Sequence, residues 1–452
     1  LFCKRELGEV ENWRSVRKVN GGSTKAMESQ QPQEVENTPA ESFRLDVPLH
    51  DLLMDPKQER SILEPGEEPQ VLPDPVYPQG RNGNGESGEM TRNQYQNLNA
   101  KRCVTGWAVP YAKSRWYSED VRPIIAYLFT DYKCNLDCHY CWSYDNRVDG
   151  MSEDTAKRAI DWLHSIGNRC LALMGGEPLI RPHFIHKVVD YAAKKDFFVY
   201  LPTNGRLLKP EVIDRLGDAG LSTVNLAVDS VEERKQLPKA LNPIRPYFDY
   251  LIANQLKYGY TVMLNINITR INMDDVKELT EIARSNGIAT DYHINEAPMT
   301  EQKDFKHYDD NTTYLLRDDW EKVDSLLDWI DDKHKQGYKM VNPRSHLADM
   351  KLLMRGKVKA WKCRAGQNSL IIRTDGTLAP CFPTYSATYD WGTVGHHKFD
   401  VKQLDEMKKT CTTKCLSTCN YILAYCYDTK RVVKWGLKQA RHGFRGATGS
   451  FD

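Results

Sequence analysis

Between residues 121 and 296 the chain alternates strand-sized apolar runs with helix-length amphipathic segments, and this pattern limits the fold more than any other feature. Strands are expected at 124–129, 171–174, 197–201, 223–228, 261–268 and 290–295. Helices are expected at 152–166, 182–195, 210–219, 244–258 and 273–286. Ser152, Glu153 and Asp154 place a capping side chain and acids where the helix dipole favours them. Strands that alternate with helices must run parallel, joined by right-handed crossovers. Six such repeats, counting a helix after the last strand, predict an α/β fold. The expected form is a partial (β/α)6 barrel, whose functional groups sit at the C-terminal strand ends.

The flanks read differently. Residues 1–100 are rich in Glu, Gln, Pro, Asn and Gly, and are expected to be an extended or disordered N-terminal extension. The barrel should occupy 121–300, a helical connection 301–356, a small cysteine-rich module 357–428 and a basic tail 429–452. Within the connection, 318–335 reads as an amphipathic helix with Trp320, Val323, Leu326, Leu327 and Ile330 on one side. The chain opens on Leu1, and Met27 is a candidate start. Residues 1–40 lack the apolar region of a secretory signal, and no apolar run approaches the roughly 18 residues of a membrane span. The expected location is therefore cytoplasmic. A net charge of +1 gives no reason to expect nucleic-acid binding.

Nine of the twelve cysteines fall in two groups. In a reducing compartment such groups are metal ligands or reactive thiols more often than disulfides. Cys170, which opens the second strand, reads as a core thiol. The first group is Cys134-Asn-Leu-Asp-Cys138-His-Tyr-Cys141, in the loop after the first strand. Three thiolates can hold three irons of an iron–sulfur cube and leave the fourth open to a small ligand. A zinc site is the alternative, but zinc prefers four ligands, commonly as two close pairs, and His139 lies between the cysteines. Met174-Gly175-Gly176-Glu177-Pro178 closes the second strand. The third ends in Thr203-Asn204-Gly205, the fourth in Asp229-Ser230, and the fifth carries Asn265, Asn267 and, just beyond, Asn272.

The x3-x2 cysteine spacing after a first strand, followed by Gly-Gly-Glu, resembles the radical S-adenosylmethionine superfamily over about residues 121–296. The resemblance implies a [4Fe-4S] cluster on Cys134, Cys138 and Cys141 whose open iron binds the amino and carboxylate groups of S-adenosylmethionine. A strongly reducing cluster, toward the low end of the roughly −700 to +450 mV range, would then split the sulfonium to a 5′-deoxyadenosyl radical. It also implies that Gly175, Gly176 and Glu177 meet the ammonium, that Tyr140 lies beside the adenine, and that Asn204, Ser230 and Asn267 reach the ribose, carboxylate or substrate. Turn and helix-cap roles remain open for Asn204 and Ser230, and Glu296 reads as a solvated loop carboxylate. An external one-electron reductant, such as flavodoxin or ferredoxin, would be the partner.

The second group pairs Cys363 and Cys381 through a hairpin around Asp375–Gly376, with four residues between Gly376 and Cys381. This resembles the auxiliary iron–sulfur module called Twitch in its short form and SPASM in its long form. Cys411, Cys415, Cys419 and Cys426 follow at x3, x3 and x6, where the long form shows x2, x5 and x3. The expectation is one or two auxiliary clusters, with Cys363, Cys381 and two of the later four as the minimum set; a zinc staple is the alternative. His396 and His397 read as surface residues. The module's kinship points to a peptide or peptide-derived cofactor as substrate. A small metabolite or lipid is the alternative, and a non-catalytic electron carrier is a further one from another class. The basic tail, with Lys430, Arg431, Lys434, Lys438, Arg441 and Arg445, is a solvated helix or a surface for an anionic partner or membrane.

Overall fold

Alternation along the strands separates two environments in the computed structural model of this chain. The structure describes residues 80–81, 87–88, 104–116, 121–141, 147–295, 307, 311–382, 389–427, 430, 433 and 437. The expectations for residues 1–100 and for the basic tail lie almost wholly outside that set. An antiparallel pair joins Gly80–Arg81 to Ser87–Gly88.

The six expected strands are present as β1 (Ile125–Asp131), β2 (Cys170–Gly175), β3 (Phe198–Thr203), β4 (Thr223–Ala227), β5 (Thr261–Ile268) and β6 (Ala289–Ile294). They are parallel and neighbour one another in chain order. The helices are α1 (Val109–Trp116), α2 (Glu153–Ser165), α3 (Pro182–Lys194), α4 (Pro210–Asp218), α5 (Arg245–Ala253), α6 (Gln255–Tyr258), α7 (Met273–Ser285), α8 (Trp320–Lys335), α9 (Arg344–Leu353), α10 (Val401–Cys411) and α11 (Thr418–Cys426). The single helix expected over 244–258 is divided after Ala253. The α8 helix starts two residues later than expected, behind a 3₁₀ turn at Arg317–Asp319. The helix α1 was missed by sequence reasoning. It follows directly on a π-helical segment, Val104–Ala108.

Leu128, Leu171, Leu173, Val199, Leu201, Val224, Leu226, Leu264 and Ile266 pack outward against the helices. Tyr127, Phe129, Cys170 and Ala172 face the other way, into the barrel lumen. Cys170 is a fully buried thiol, as expected.

The cysteine-rich segment joins the barrel instead of standing apart. Strand β7 (Ser369–Ile372) pairs in parallel with β1, so Ile125 faces Ser369 and Leu128 faces Ile372. Strand β8 (Leu378–Ala379) then pairs antiparallel to β7, giving an eight-stranded sheet. A partial barrel leaves the β1 edge unpaired, and the hairpin satisfies that edge. A further small hairpin, β9 (Gly392–Thr393) with β10 (His396–His397), leaves both histidines exposed.

Helix α11 spans the gap between the sheet's two ends. Asn420 Oδ1 accepts from Ser369 Oγ of β7 at 2.7 Å, and Thr418 Oγ1 lies 3.1 Å from His293 Nδ1 of β6. His346 of α9 holds its approach: Nε2 is 3.0 Å from the Leu416 carbonyl and the ring stacks on Tyr421 at 4.4 Å. Burial pushes the fully enclosed His346 imidazole down from its ordinary value to about 4. A group held neutral in the fold stabilises it above the unfolded-state value of 6.5 and loses that contribution as pH falls toward 4. Urea unfolding should therefore show up to about 3 kcal/mol lost across that window. His346→Gln should flatten this pH dependence.

Candidate functional site

The site is built where β1 runs into the cysteine loop. Asp131 ends the strand, and its Oδ1 accepts from Lys133 N at 2.9 Å, turning the chain into the loop. The loop is stitched to the end of β2. Gly176 N donates to Asp131 O at 3.0 Å and Glu177 N to Lys133 O at 2.8 Å. This approach requires both glycines. A Cβ on Gly175 would lie 2.0 Å from Asp131 O, and one on Gly176 would lie 2.3 Å from Lys133 O. Gly175 also has φ +154°.

Glu177 has a role that sequence reasoning did not find. It is 1% exposed, and its carboxylate accepts from Leu179 N at 3.0 Å, Thr203 Oγ1 at 2.8 Å and Asn204 N at 2.8 Å. These bonds tie the ends of β2 and β3 together. Burial nonetheless raises its pKa. Asn204 Nδ2 then donates to Asn135 Oδ1 at 2.8 Å, so the end of β3 fixes the loop between Cys134 and Cys138.

Ser230 is fully buried and its hydroxyl donates at 2.8 Å to Glu232 O within its own turn. Asn272 is a clamp: its amide donates to Asp229 O at 2.7 Å and Asn267 O at 2.8 Å, and its Oδ1 accepts from Thr269. Asn267 keeps its side chain partly exposed on the lumen side of β5.

Tyr140 donates its hydroxyl to Asp229 Oδ2, whose other oxygen accepts from Asn267 N at 2.8 Å. Over the Tyr140 ring, 5.1 Å from its centroid, lies Lys239 Nζ. Lys239 belongs to no motif; only the fold brings it to the cysteines. Burial alone would lower the pKa of its ammonium. The negative fields of Cys138, Asp229, Cys141 and Cys134 together outweigh that and raise it well above its ordinary value. Burial pushes the Cys134 thiol up to about 11 and the Cys138 thiol further. A second missed residue is His307, stacked on His139 at 3.9 Å and 2.9 Å from Asp137 Oδ1. This fixes His139, which lies between two of the cysteines.

The three thiols therefore share one loop and one electrostatic environment, beside a strand end cut back to glycine. These residues suit a cluster with an open iron. Among the described residues, no three His, Cys, Asp or Glu side chains converge as a single metal ion requires.

In the second group, Cys363 lies near enough to raise the Cys411 thiol pKa, and Lys408 is near both. Trp361 Nε1 donates to Cys415 O at 2.9 Å, and Cys381 lies two residues beyond β8. Cys419 points elsewhere, packing in the barrel lumen and bonding to Tyr127. The Cys426 side chain and Glu296 lie outside the described residues.

Residues 130–292 match the family described as the Radical SAM superfamily. Two curated relatives come from Methanosarcina barkeri. An AdoMet-dependent heme synthase is 28% identical over 36% of this chain and 47% of its own length. An Fe-coproporphyrin III synthase is 24% identical over 49% of this chain and 55% of its own. A GTP 3′,8-cyclase of Helicobacter pylori is 33% identical over 35% of this chain and 52% of its own. The chain thus spans about half the length of the curated relatives it matches. The solved structure of Streptococcus suis SuiB bound to precursor peptide SuiA shares the fold, with TM-score 0.50 and 14% identity over 72% of each chain. With the cysteine loop and glycine strand end in place, residues 130–292 of the barrel are similar to a radical SAM domain.

Proposed function

We propose that the chain is a radical enzyme that holds a [4Fe-4S] cluster on Cys134, Cys138 and Cys141 and binds S-adenosylmethionine at its open iron. When bound, this group supplies the electron that splits the sulfonium to methionine and a 5′-deoxyadenosyl radical, which takes a hydrogen atom from the substrate. The observation that carries the reading is the Gly175–Gly176 strand end, pressed onto the base of the cysteine loop.

The chain's own residues have distinct tasks. The exposed edges of Gly175 and Gly176 accept from the ammonium of the cofactor. Glu177 and Asn204 hold the strand end and the loop in register. Tyr140, kept in place by Asp229, would lie beside the adenine. Asn267 would reach the cofactor, and Ser230 shapes the turn. Lys239 is the cation available to the methionine carboxylate. Lys239→Met should weaken S-adenosylmethionine binding about tenfold, the value of one charge-assisted contact, as read by equilibrium dialysis.

An auxiliary cluster is assigned to Cys363, Cys381, Cys411 and Cys415. The electron comes from an external carrier such as flavodoxin or ferredoxin. A peptide is the proposed substrate, consistent with the cysteine-rich hairpin; the names of the curated relatives favour a tetrapyrrole or other small metabolite as the second reading. The test is anaerobic turnover of cluster-loaded protein with dithionite. The proposal expects 5′-deoxyadenosine and methionine in equal amounts and none without the cluster. Absence of both from loaded protein would reject it.

A further inference from the structure

Part of the barrel lumen, along β3 and β5, is not filled by side chains. On β5 the outward residues Val262, Leu264, Ile266 and Ile268 are buried, whereas Thr261, Met263, Asn265 and Asn267 on the other face keep part of their surface. On β3, Val199, Leu201 and Thr203 are buried while Phe198, Tyr200 and Pro202 are not fully covered. On β1 both sets are buried, as in a barrel filled by its own side chains, so the open space lies against β3 and β5.

One side of the lumen is polar. Pairing sets Asn265 opposite Asp291, and Asn267 opposite His293. Asp291 is 6% exposed, and its Oδ2 lies 3.3 Å from His293 Nε2. Its Oδ1 is buried and has no hydrogen-bond partner among the described residues. Asn225 on β4, two strands away, is 3% exposed and its Oδ1 is in the same condition. Beside Asn225, on β3, the Tyr200 phenol is hydrogen-bonded to the Asn225 side chain, and burial and then the charge of Asp291 raise its pKa. A buried acceptor without a donor destabilises a fold, and a carboxylate does so most. Two of them on the lumen face of one sheet call for a ligand that brings donors.

We propose that Asp291 anchors the substrate in the lumen by accepting from a donor-bearing group, an ammonium, guanidinium or amide, with Asn225 as a second acceptor. This rests on the radical reading above and narrows its substrate class. It favours a peptide with a lysine, arginine or amide side chain over a tetrapyrrole, whose carboxylates would meet repulsion from Asp291.

The test uses the full, cluster-loaded chain and three capped tripeptides, with lysine, norleucine or glutamate between two alanines. Binding is read by saturation-transfer NMR titration. The lysine peptide should bind about tenfold more tightly than the other two. Asp291→Asn, which keeps the side chain's shape, should reduce that preference to less than threefold. The wild-type comparison stands whether or not the variant folds. Equal binding of all three peptides, binding of none, tighter binding of the glutamate peptide, or a lysine preference that survives Asp291→Asn would each overturn the assignment. The 5′-deoxyadenosine formed by wild-type protein without any peptide reports separately on the radical reading.

Discussion

Replacing Cys134, Cys138 and Cys141 together by alanine should abolish S-adenosylmethionine cleavage and remove about four irons per chain. The loss should be complete, because no other described group near the strand ends can deliver an electron to the sulfonium. The remaining iron should stay near four atoms if one auxiliary cluster sits on the second cysteine group, so the total falls from about eight to about four. The fold should survive. The loop's backbone anchors, Asp131 to Gly176 and Lys133 to Glu177, involve none of the three thiols. Iron analysis with product quantification decides the matter, and cleavage retained by the triple variant would refute the ligand assignment.

Gly176→Val should be nearly as damaging through backbone geometry alone. The added Cβ would lie 2.3 Å from Lys133 O and 2.6 Å from Lys133 C and Tyr132 O, all backbone atoms that cannot rotate aside. Either β2 or the cysteine loop must move. A displacement of about 1 Å between catalytic parts can cost on the order of 100-fold in rate. We expect cleavage to fall at least that far, with iron content reduced by less than in the triple-cysteine variant. Gly167→Ala is the control: Gly167 has positive φ, +86°, but nothing lies within 4 Å of an added Cβ, so the change should cost some stability and leave cleavage intact.

Much of this arrangement was legible in the sequence because it is local. Cys134, Cys138 and Cys141 sit within eight residues, and Gly175–Gly176 ends a strand whose apolar run is unmistakable. Strand β5 was placed to the residue, since its inward and outward positions alternate strictly over Thr261–Ile268. What the sequence hid was contact between distant segments. Lys239 reaches Tyr140 from a loop ninety-nine positions later, and nothing in Leu-Pro-Lys-Ala marks it. Glu177 was expected to meet a ligand, yet Leu179, Thr203 and Asn204 claim its oxygens.

The second cysteine group shows the same limit from the other side. Spacing could not separate Cys419 from Cys411 and Cys415, because x3 intervals read alike whether a helix turns its thiol outward or into a lumen. The fold separates them: α11 bridges β7 and β6, which carries Cys419 to Tyr127. Likewise the hairpin around Gly376 was readable, but not its pairing with β1, which depends on an edge that only the assembled barrel exposes.

The most direct measurement of the central claim is low-temperature electron paramagnetic resonance of dithionite-reduced, cluster-loaded protein, recorded before and after adding S-adenosylmethionine. If the open iron held by Cys134, Cys138 and Cys141 binds the cofactor, the spectrum of the reduced cluster must change on addition, and the change must be absent from the triple-alanine variant. A spectrum that does not respond to S-adenosylmethionine, or the same response from the variant, would contradict the account.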